Sequence, residues 1–265
     1  MMEQILGSDW MISPAGGTSG EAFIAEKENN KLFLKRNSNP FIAILSAEGI
    51  VPKLMWTKRL SNGDVITAQK WMEGRELTRP EMQNEEVVGL LSKIHHSSEI
   101  LDLFMRMGKK PVSPSAYLIQ LLNKCKKHDM LENESISQAT RFLSRYAQEI
   151  DHEKKVVCHS DMFHENWLKG EDDHLYLIDW DQAIIADPAL DLSMFLWVYV
   201  PRNQWSEWLH HYGLEETNDL LERMNWYLVA QTISYILWHI ERRESEKVDQ
   251  WLQFLQEQQF IYRKY

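Results

Sequence analysis

Over roughly the first 70 residues, apolar and polar positions alternate in short runs. Ala22 to Glu26 and Leu32 to Lys35 read as strands, joined by a polar turn at Glu28-Asn29-Asn30. Pro40 opens a short helix carrying Phe41, Ile44, Leu45 and Glu48. Lys53 to Leu60 and Asp64 to Trp71 read as two more strands. The Asn62-Gly63 pair between them is a hairpin signal, because both residues tolerate positive φ. Ahead of the first hairpin, Pro14 to Gly20 is a loop with three glycines.

After Gly74 the period changes. Thr78-Arg-Pro-Glu81 fits a capping box with proline in the first turn. Val87, Leu90, Leu91 and Ile94 then follow at helical spacing. Further helices are expected over Pro114 to Lys127 and Ser135 to Ile150. Val156-Val157-Cys158 is a short apolar run, and Leu175 to Ile178 a strand. From Pro188 onward the pattern is helical, with Trp226, Val229, Ile233, Leu237 and Ile240 on one stripe. The pattern predicts an α+β chain of two lobes, a small mixed β-sheet lobe over 1–72 and a large, mainly helical lobe over 73–265.

The 265 residues carry 29 Lys and Arg against 39 Asp and Glu, a net charge of −10. That balance argues against general nucleic-acid binding, which needs a basic face. Two cysteines, Cys125 and Cys158, are too few for a disulfide framework and fit a reducing, cytoplasmic setting. Met1 to Trp10 has no basic leader segment. The most apolar stretch, Met224 to Ile240, is interrupted by Asn225, Gln231, Thr232, Ser234 and His239. It reads as a buried helix rather than a membrane insertion.

One segment concentrates the chemistry. His159-Ser-Asp161-Met-Phe-His-Glu-Asn166 reads H-x-D-x-x-x-x-N, and Asp179 follows Asn166 by 13 residues at the end of a strand. Phosphoryl transfer from ATP uses such a spacing. The first aspartate accepts a hydrogen bond from the acceptor hydroxyl, while the asparagine and second aspartate offer hard oxygen ligands to Mg2+. Asp161 is therefore the catalytic candidate, and Asn166 and Asp179 the metal candidates. Lys35, at the end of a strand, stands where a kinase small lobe places its phosphate-pairing lysine, with Glu48 as its expected partner. Gly17, Ser19 and Gly20 of the glycine loop complete the nucleotide-binding candidates; the loop is not a Walker A motif, since no Gly-Lys-Ser/Thr follows.

His159 to Asn166, Ile178-Asp-Trp-Asp181 and Asp187-Pro-Ala-Leu-Asp-Leu192 resemble the aminoglycoside phosphotransferase and choline kinase superfamily over nearly the whole chain. The resemblance implies a bilobal protein-kinase-like fold that binds ATP and Mg2+ between its lobes. Pro14 to Gly20, Leu54-Met-Trp56, Ala68 to Trp71, His159 to Trp167 and Tyr176 to Asp181 resemble a branch of Gram-positive cell-cycle regulators within it. That similarity implies a nucleoside as acceptor and an association with the division protein FtsZ at the division site. One position departs from the superfamily, which usually has glycine where this chain has Ser160. A Cβ there is expected to narrow the loop.

His164, Trp180, Asp181, Trp226 and Tyr227 are the acceptor-contact candidates. Asp187 and Asp191 are expected to cap or brace the helix that begins at Pro188. Three alternatives stay open. A choline, ethanolamine, thiamine or aminoglycoside kinase would suit the net acidity. A pseudokinase scaffold would lack the key residues, yet Lys35, Asp161 and Asp179 are all present. A metal cluster of Cys158, His159, Asp161 and His164 matches no standard zinc spacing.

Overall fold

The computed structural model describes residues 6–16, 21–38 and 40–257. They divide into two compact units: Met1–Met82 with Phe163–Gln182, and Gln83–Met162 with Ala183–Tyr265.

The first unit is built on an antiparallel sheet of β1 (Met11–Pro14), β2 (Ala22–Lys27), β3 (Asn30–Arg36), β4 (Leu54–Arg59) and β5 (Val65–Lys70), in the order β1-β2-β3-β5-β4. Cross-strand partners share a face, so the register decides what is buried. Leu34 stands opposite Phe23 on one side and Ala68 on the other. With Ala25 and Ile66 these residues form the sheet's core, covered by Trp10, Ile12, Leu32, Trp56 and Leu60. The β4–β5 connection is tighter on one residue than expected. Only Gly63 takes a positive φ, 93°, whereas Asn62 folds its side chain to accept the Asp64 N–H at 3.1 Å.

Helix α1 (Ile42–Ala47) buries Leu45, with Phe41 just before it. The strand β6 (Gly74–Glu76) pairs with Trp167–Gly170, which in turn pairs with Leu175–Leu177. The Leu177 N–H also donates to the Ile50 carbonyl at 2.9 Å. These bonds draw residues 163–182 into the same unit as the N-terminal sheet, whereas the sequence pattern grouped them with the helices. Thr78 and Glu81 do interact as a capping box would, the Thr78 N–H donating to the Glu81 carboxylate at 2.8 Å. They close a 3-10 turn, Arg79–Gln83, rather than starting an α-helix. Arg75 forks onto the same carboxylate at 2.6 and 2.7 Å and, with the Thr78 donors, holds Glu81 well below the usual carboxylate range.

The second unit is mainly helical: α2 (Glu85–His96), α3 (Ser98–Arg106), α4 (Pro114–Lys127), α5 (Glu134–Tyr146), α6 (Ala189–Tyr199), α7 (Trp205–Tyr212), α8 (Asn218–Glu241) and α9 (Ser245–Glu257). The side chains of Ser97, Ser113, Asn133 and Thr217 accept the first free N–H groups of α3, α4, α5 and α8. The expected stripe of α8 is inward, with Trp226, Val229 and Ile233 fully buried. Helix α6 is buried nearly all round. A two-stranded ribbon, Val156–Cys158 antiparallel to Ile184–Ala186, delivers the chain to His159. Among the described residues no helix is long and apolar enough to cross a membrane.

Leu34 is fully buried at the centre of the small sheet. Leu34→Ala is expected to lower unfolding free energy by about 2–5 kcal/mol. Urea denaturation read by intrinsic fluorescence checks it.

Candidate active site

Strand alternation places Lys35 on the face of β3 opposite Leu34, level with Thr67 of β5. Its Nζ lies 2.7 Å from Asp181 Oδ2 and 3.0 Å from Asp179 Oδ1. Burial works to lower the Lys35 pKa. The hydrogen bonds and charges of Asp181 and Asp179 outweigh it and hold the ammonium above its ordinary value. Asp181, read from sequence as an acceptor contact, is thus an ion-pair partner of Lys35. Glu48, expected in that part, is the C-terminal cap residue of α1.

Asn166 and Asp179 belong to the same unit as Lys35. The Ile178 N–H donates to the Asn166 carbonyl at 2.8 Å, which ties the end of the H-x-D-x-x-x-x-N segment to the residue before Asp179. Asp179 itself takes a left-handed φ of 64°. Such a conformation is uncommon outside glycine, though aspartate and asparagine adopt it most readily. Gly17, Ser19 and Gly20 lie outside the described residues.

Asp161 belongs to the second unit, five residues before Asn166, and the chain passes from one unit to the other between Met162 and Phe163. The residues just ahead of it are fastened to Asp191, which is fully buried. The His159 N–H donates to Asp191 Oδ2 at 2.7 Å and the Ser160 N–H to Oδ1 at 2.8 Å. Ser160 achieves this with φ = 71°. Successive N–H groups converge on one anion when a residue turns left-handed, which makes a small anion nest. The glycine that the superfamily usually places here would adopt that φ without strain. The Ser160 hydroxyl is buried and has no hydrogen-bond partner among the described residues.

Asp187 accepts from one nitrogen of Arg223 with both carboxylate oxygens, at 2.6 and 2.7 Å, and caps the Ala189 N–H at 2.8 Å. It braces α6 as expected, but Asp191 serves the loop before Asp161 rather than the helix. Cys158 keeps its proton, since burial pushes the thiol well up and its Sγ faces the Asp187 carbonyl at 3.4 Å.

Of the aromatic candidates, Trp226 is fully buried and donates its indole N–H to the Leu143 carbonyl. Tyr227 is buried beside it, and burial pushes its phenol far above the usual range. Trp180 is buried too, its indole bonded to the Leu177 carbonyl and its ring edge-on to Phe41. All three pack the interior. His164 is half-buried, with Nδ1 3.1 Å from Glu165.

The sequence reading missed Tyr235. Its hydroxyl lies 3.5 Å from Asp161 Oδ1, and its ring stacks on Trp251 of α9 at 5.1 Å and 22°. Burial first, and the Asp161 charge second, keep this phenol protonated. It also missed His95 and Arg223. Each is a titratable group on an apolar helix face, and His95 falls four residues after Leu91 on the buried stripe of α2.

Ser160→Gly removes about 1–2 kcal/mol of left-handed strain and adds about 0.5–1 kcal/mol of backbone entropy loss. It also removes a buried, unbonded hydroxyl. The variant is expected to be more stable by about 1 kcal/mol, whereas Ser160→Ala, which keeps the strained Cβ, gains less. Urea midpoints at unchanged slope measure both.

Solved structures share this fold across nearly the whole chain. Choline kinase LicA from Streptococcus pneumoniae superimposes with a TM-score of 0.71 at 16% identity, covering 97% of this chain and 99% of its own. The GDP complex of aminoglycoside 2'-phosphotransferase-IIIa gives 0.70 at 12% identity, covering 97% and 95%. Spectinomycin phosphotransferase, in complex with ADP and spectinomycin, gives 0.65 at 16%, covering 95% and 93%. The protein-kinase-like α+β fold expected from the sequence is the one these structures share. The family model described as phosphotransferase enzyme family matches residues 12–227, a span that takes in Lys35, Asp161, Asn166 and Asp179. The chain belongs to that family, and its activity is that of a small-molecule phosphotransferase with a hydroxyl acceptor.

Proposed function

We propose that the chain transfers the γ-phosphate of ATP to the primary, 5′-hydroxyl of a nucleoside. The observation that supports this acceptor is the aromatic pair beside Asp161. Tyr235 and Trp251 lie close to parallel, and Tyr235 reaches the candidate base with its hydroxyl. Parallel ring planes extend readily onto a flat base, and stacking tolerates different bases. A quaternary amine calls instead for rings turned around it as a cage. The sequence resemblance favours the same acceptor.

In this reading Asp161 accepts a hydrogen bond from the acceptor hydroxyl and takes its proton as the new P–O bond forms. The bond from the γ-phosphorus to its bridging oxygen breaks, and ADP leaves with that electron pair. Tyr235 stays a neutral donor beside Asp161. Lys35 pairs with phosphate oxygens after exchanging them for Asp179 and Asp181. Hard carboxylate and amide oxygens from Asp179 and Asn166 would hold Mg2+. The fit is supported by a cation, the Lys35 ammonium, already standing against two carboxylates there. When bound, the metal supplies neutralisation of charge on the phosphate oxygens. The sequence resemblance supports an association with FtsZ at the division site; co-sedimentation with purified FtsZ polymers tests that separately.

Asp161→Asn keeps the shape and weakens the base. It is expected to lower transfer by about 10²–10⁴-fold while Mg-ATP binding survives. Asp179→Ala is expected to weaken Mg-ATP binding more than Asp161→Asn does, as read by calorimetry. Equal affinity in Asp179→Ala and the parent protein would remove Asp179 from the metal site.

A mixed panel of nucleosides, choline, ethanolamine, thiamine and kanamycin, incubated with Mg-ATP and analysed by mass spectrometry, identifies the acceptor. Several nucleoside 5′-monophosphates are expected, with modest preference among bases. Phosphocholine or a phosphorylated aminoglycoside as the dominant product would replace the nucleoside with the cationic alternative.

A further inference from the structure

The phenols of the helical unit hold their hydroxyls in different ways. The Tyr212 hydroxyl, on α7, lies 2.7 Å from His95 Nδ1, an ordinary hydrogen-bond length. The Tyr227 hydroxyl, on α8, is buried with no hydrogen-bond partner among the described residues. Further along α8, the Tyr235 hydroxyl stands 3.5 Å from Asp161 Oδ1. A hydroxyl that donates to a carboxylate normally closes to about 2.5–2.7 Å, so this phenol stands back from its acceptor. Its ring is held by stacking on Trp251 at 5.1 Å and 22°. Trp251 packs edge-on to Phe254 at 5.5 Å and 81°, and Phe254 packs edge-on to Trp197 of α6 at 6.2 Å and 84°. The hydroxyl is thus aimed at the proposed base by a train of rings from α8, α9 and α6, and the train fixes its distance.

We propose that Tyr235 sets the preference for an acceptor hydroxyl over water. In the acceptor-free protein its hydroxyl covers one side of Asp161 Oδ1, and an incoming acceptor hydroxyl displaces it. The inference rests on the assignment of Asp161 as the base. Two features of the contact suit this role. A water hydrogen-bonded between two oxygens needs about 2.8 Å to each, and a 3.5 Å gap has no room for one. The same length makes the contact cheap to break. An acceptor brings binding energy from the rest of its structure and can displace the phenol, whereas water brings none. The Tyr235 phenol is kept protonated by its burial and by the Asp161 charge, so it covers the base without taking a proton itself.

Packing does not account for the hydroxyl. Phenylalanine would keep the stack on Trp251, and α8 already carries an unbonded phenol hydroxyl at Tyr227. The chemistry gives it a use. In hydrolysis Asp161 takes a proton from water as the water oxygen bonds to the γ-phosphorus. The bond from that phosphorus to its bridging oxygen breaks, and ADP leaves with the electron pair beside inorganic phosphate. Transfer to an acceptor follows the same steps with the acceptor oxygen in place of water. The two reactions differ in what stands against Asp161, and that is where the Tyr235 hydroxyl lies.

The test compares two rates of the whole protein with Mg-ATP: phosphate release with no acceptor, and transfer to the nucleoside that the mixed panel identifies. Tyr235→Phe fills the same space and removes only the hydroxyl. It is expected to raise kcat for acceptor-free hydrolysis by about tenfold, the lower range for a hydrogen bond to a charged group. Transfer kcat and KM for Mg-ATP are expected to stay within about twofold of the parent protein. A purely structural hydroxyl would lower thermal stability and leave both rates per folded molecule unchanged. That result overturns the proposal, as does an equal fall in both rates. Asp161→Asn combined with Tyr235→Phe is expected to remove the added hydrolysis; added hydrolysis that survives it also overturns the proposal, because the water then does not use Asp161. Asp161→Asn alone separates the two levels. Full transfer in that variant sinks the base assignment itself, whereas loss there with unchanged hydrolysis in Tyr235→Phe sinks only the role of Tyr235. Phosphocholine as the dominant product of the panel tells against the nucleoside alone, and the same two rates are then read with choline.

Discussion

The candidate catalytic loop depends on one buried carboxylate. Asp191 accepts the N–H groups of His159 and Ser160, the two residues before Asp161. A charge-assisted hydrogen bond in a dry interior is strong, and two from successive residues fix an orientation as well as a position. Helix α6 carries Asp191 and is packed on nearly every side, so the carboxylate sits on a rigid element. The neighbouring ribbon, Val156–Cys158 with Ile184–Ala186, brings the loop and the start of α6 to the same place. A residue that has to hold a proton acceptor within a fraction of an ångström is best mounted this way.

Burying acids is costly unless donors answer them. Asp187 and Asp191 are both fully buried, and each is answered differently. Asp187 takes the buried guanidinium of Arg223, which Asp219 steadies from the previous turn of α8 at 2.9 Å. Asp191 takes two backbone amides and the His95 ring. In the other unit the sign is reversed. Lys35 is the less exposed partner, and Asp179 and Asp181 answer it from positions half open to solvent. The structural acids are thus sealed, while the acids proposed to meet substrate and metal remain accessible.

Periodicity carried most of the fold in the sequence. The hairpins, the α4 boundaries and the inward stripe of α8 follow from spacing and turn chemistry, because each element there is long enough for its period to show. The strands Met11–Pro14, Gly74–Glu76, Trp167–Gly170 and Ile184–Ala186 did not, since three or four residues carry no period. Their pairing also explains why 163–182 packs with the N-terminal sheet, a fact set by long-range bonds such as Leu177 to Ile50. Within the site, the motif residues were legible because their order is local: Asp161, Asn166 and Asp179 lie along one stretch. The partners His95, Tyr212, Arg223 and Tyr235 come from distant helices. Nothing in their own neighbourhoods points to the partners they reach.

Two residues of this stretch, Ser160 and Asp179, hold left-handed backbone, and in each case a specific neighbour accounts for it. At Ser160 the turn creates the paired N–H groups that Asp191 receives, so the strain and the anchor are one feature. A hydroxyl-bearing residue there gives up roughly 1 kcal/mol that glycine would not, and the anchor offsets it. At Asp179 the turn follows immediately on the Ile178 to Asn166 bond and aims the carboxylate at Lys35. A relaxed strand continuing past Ile178 would alternate side chains across the sheet and carry the next carboxylate elsewhere. Strain of this kind survives only where the surroundings over-determine it. Both sites meet that condition through charged hydrogen bonds, and both flank the same segment, from the residue before the proposed base to the proposed metal ligand. At these two positions the local conformational cost falls on residues that aim reactive groups; the Asp191 anchor sustains it at Ser160, and the Lys35 ion pair at Asp179.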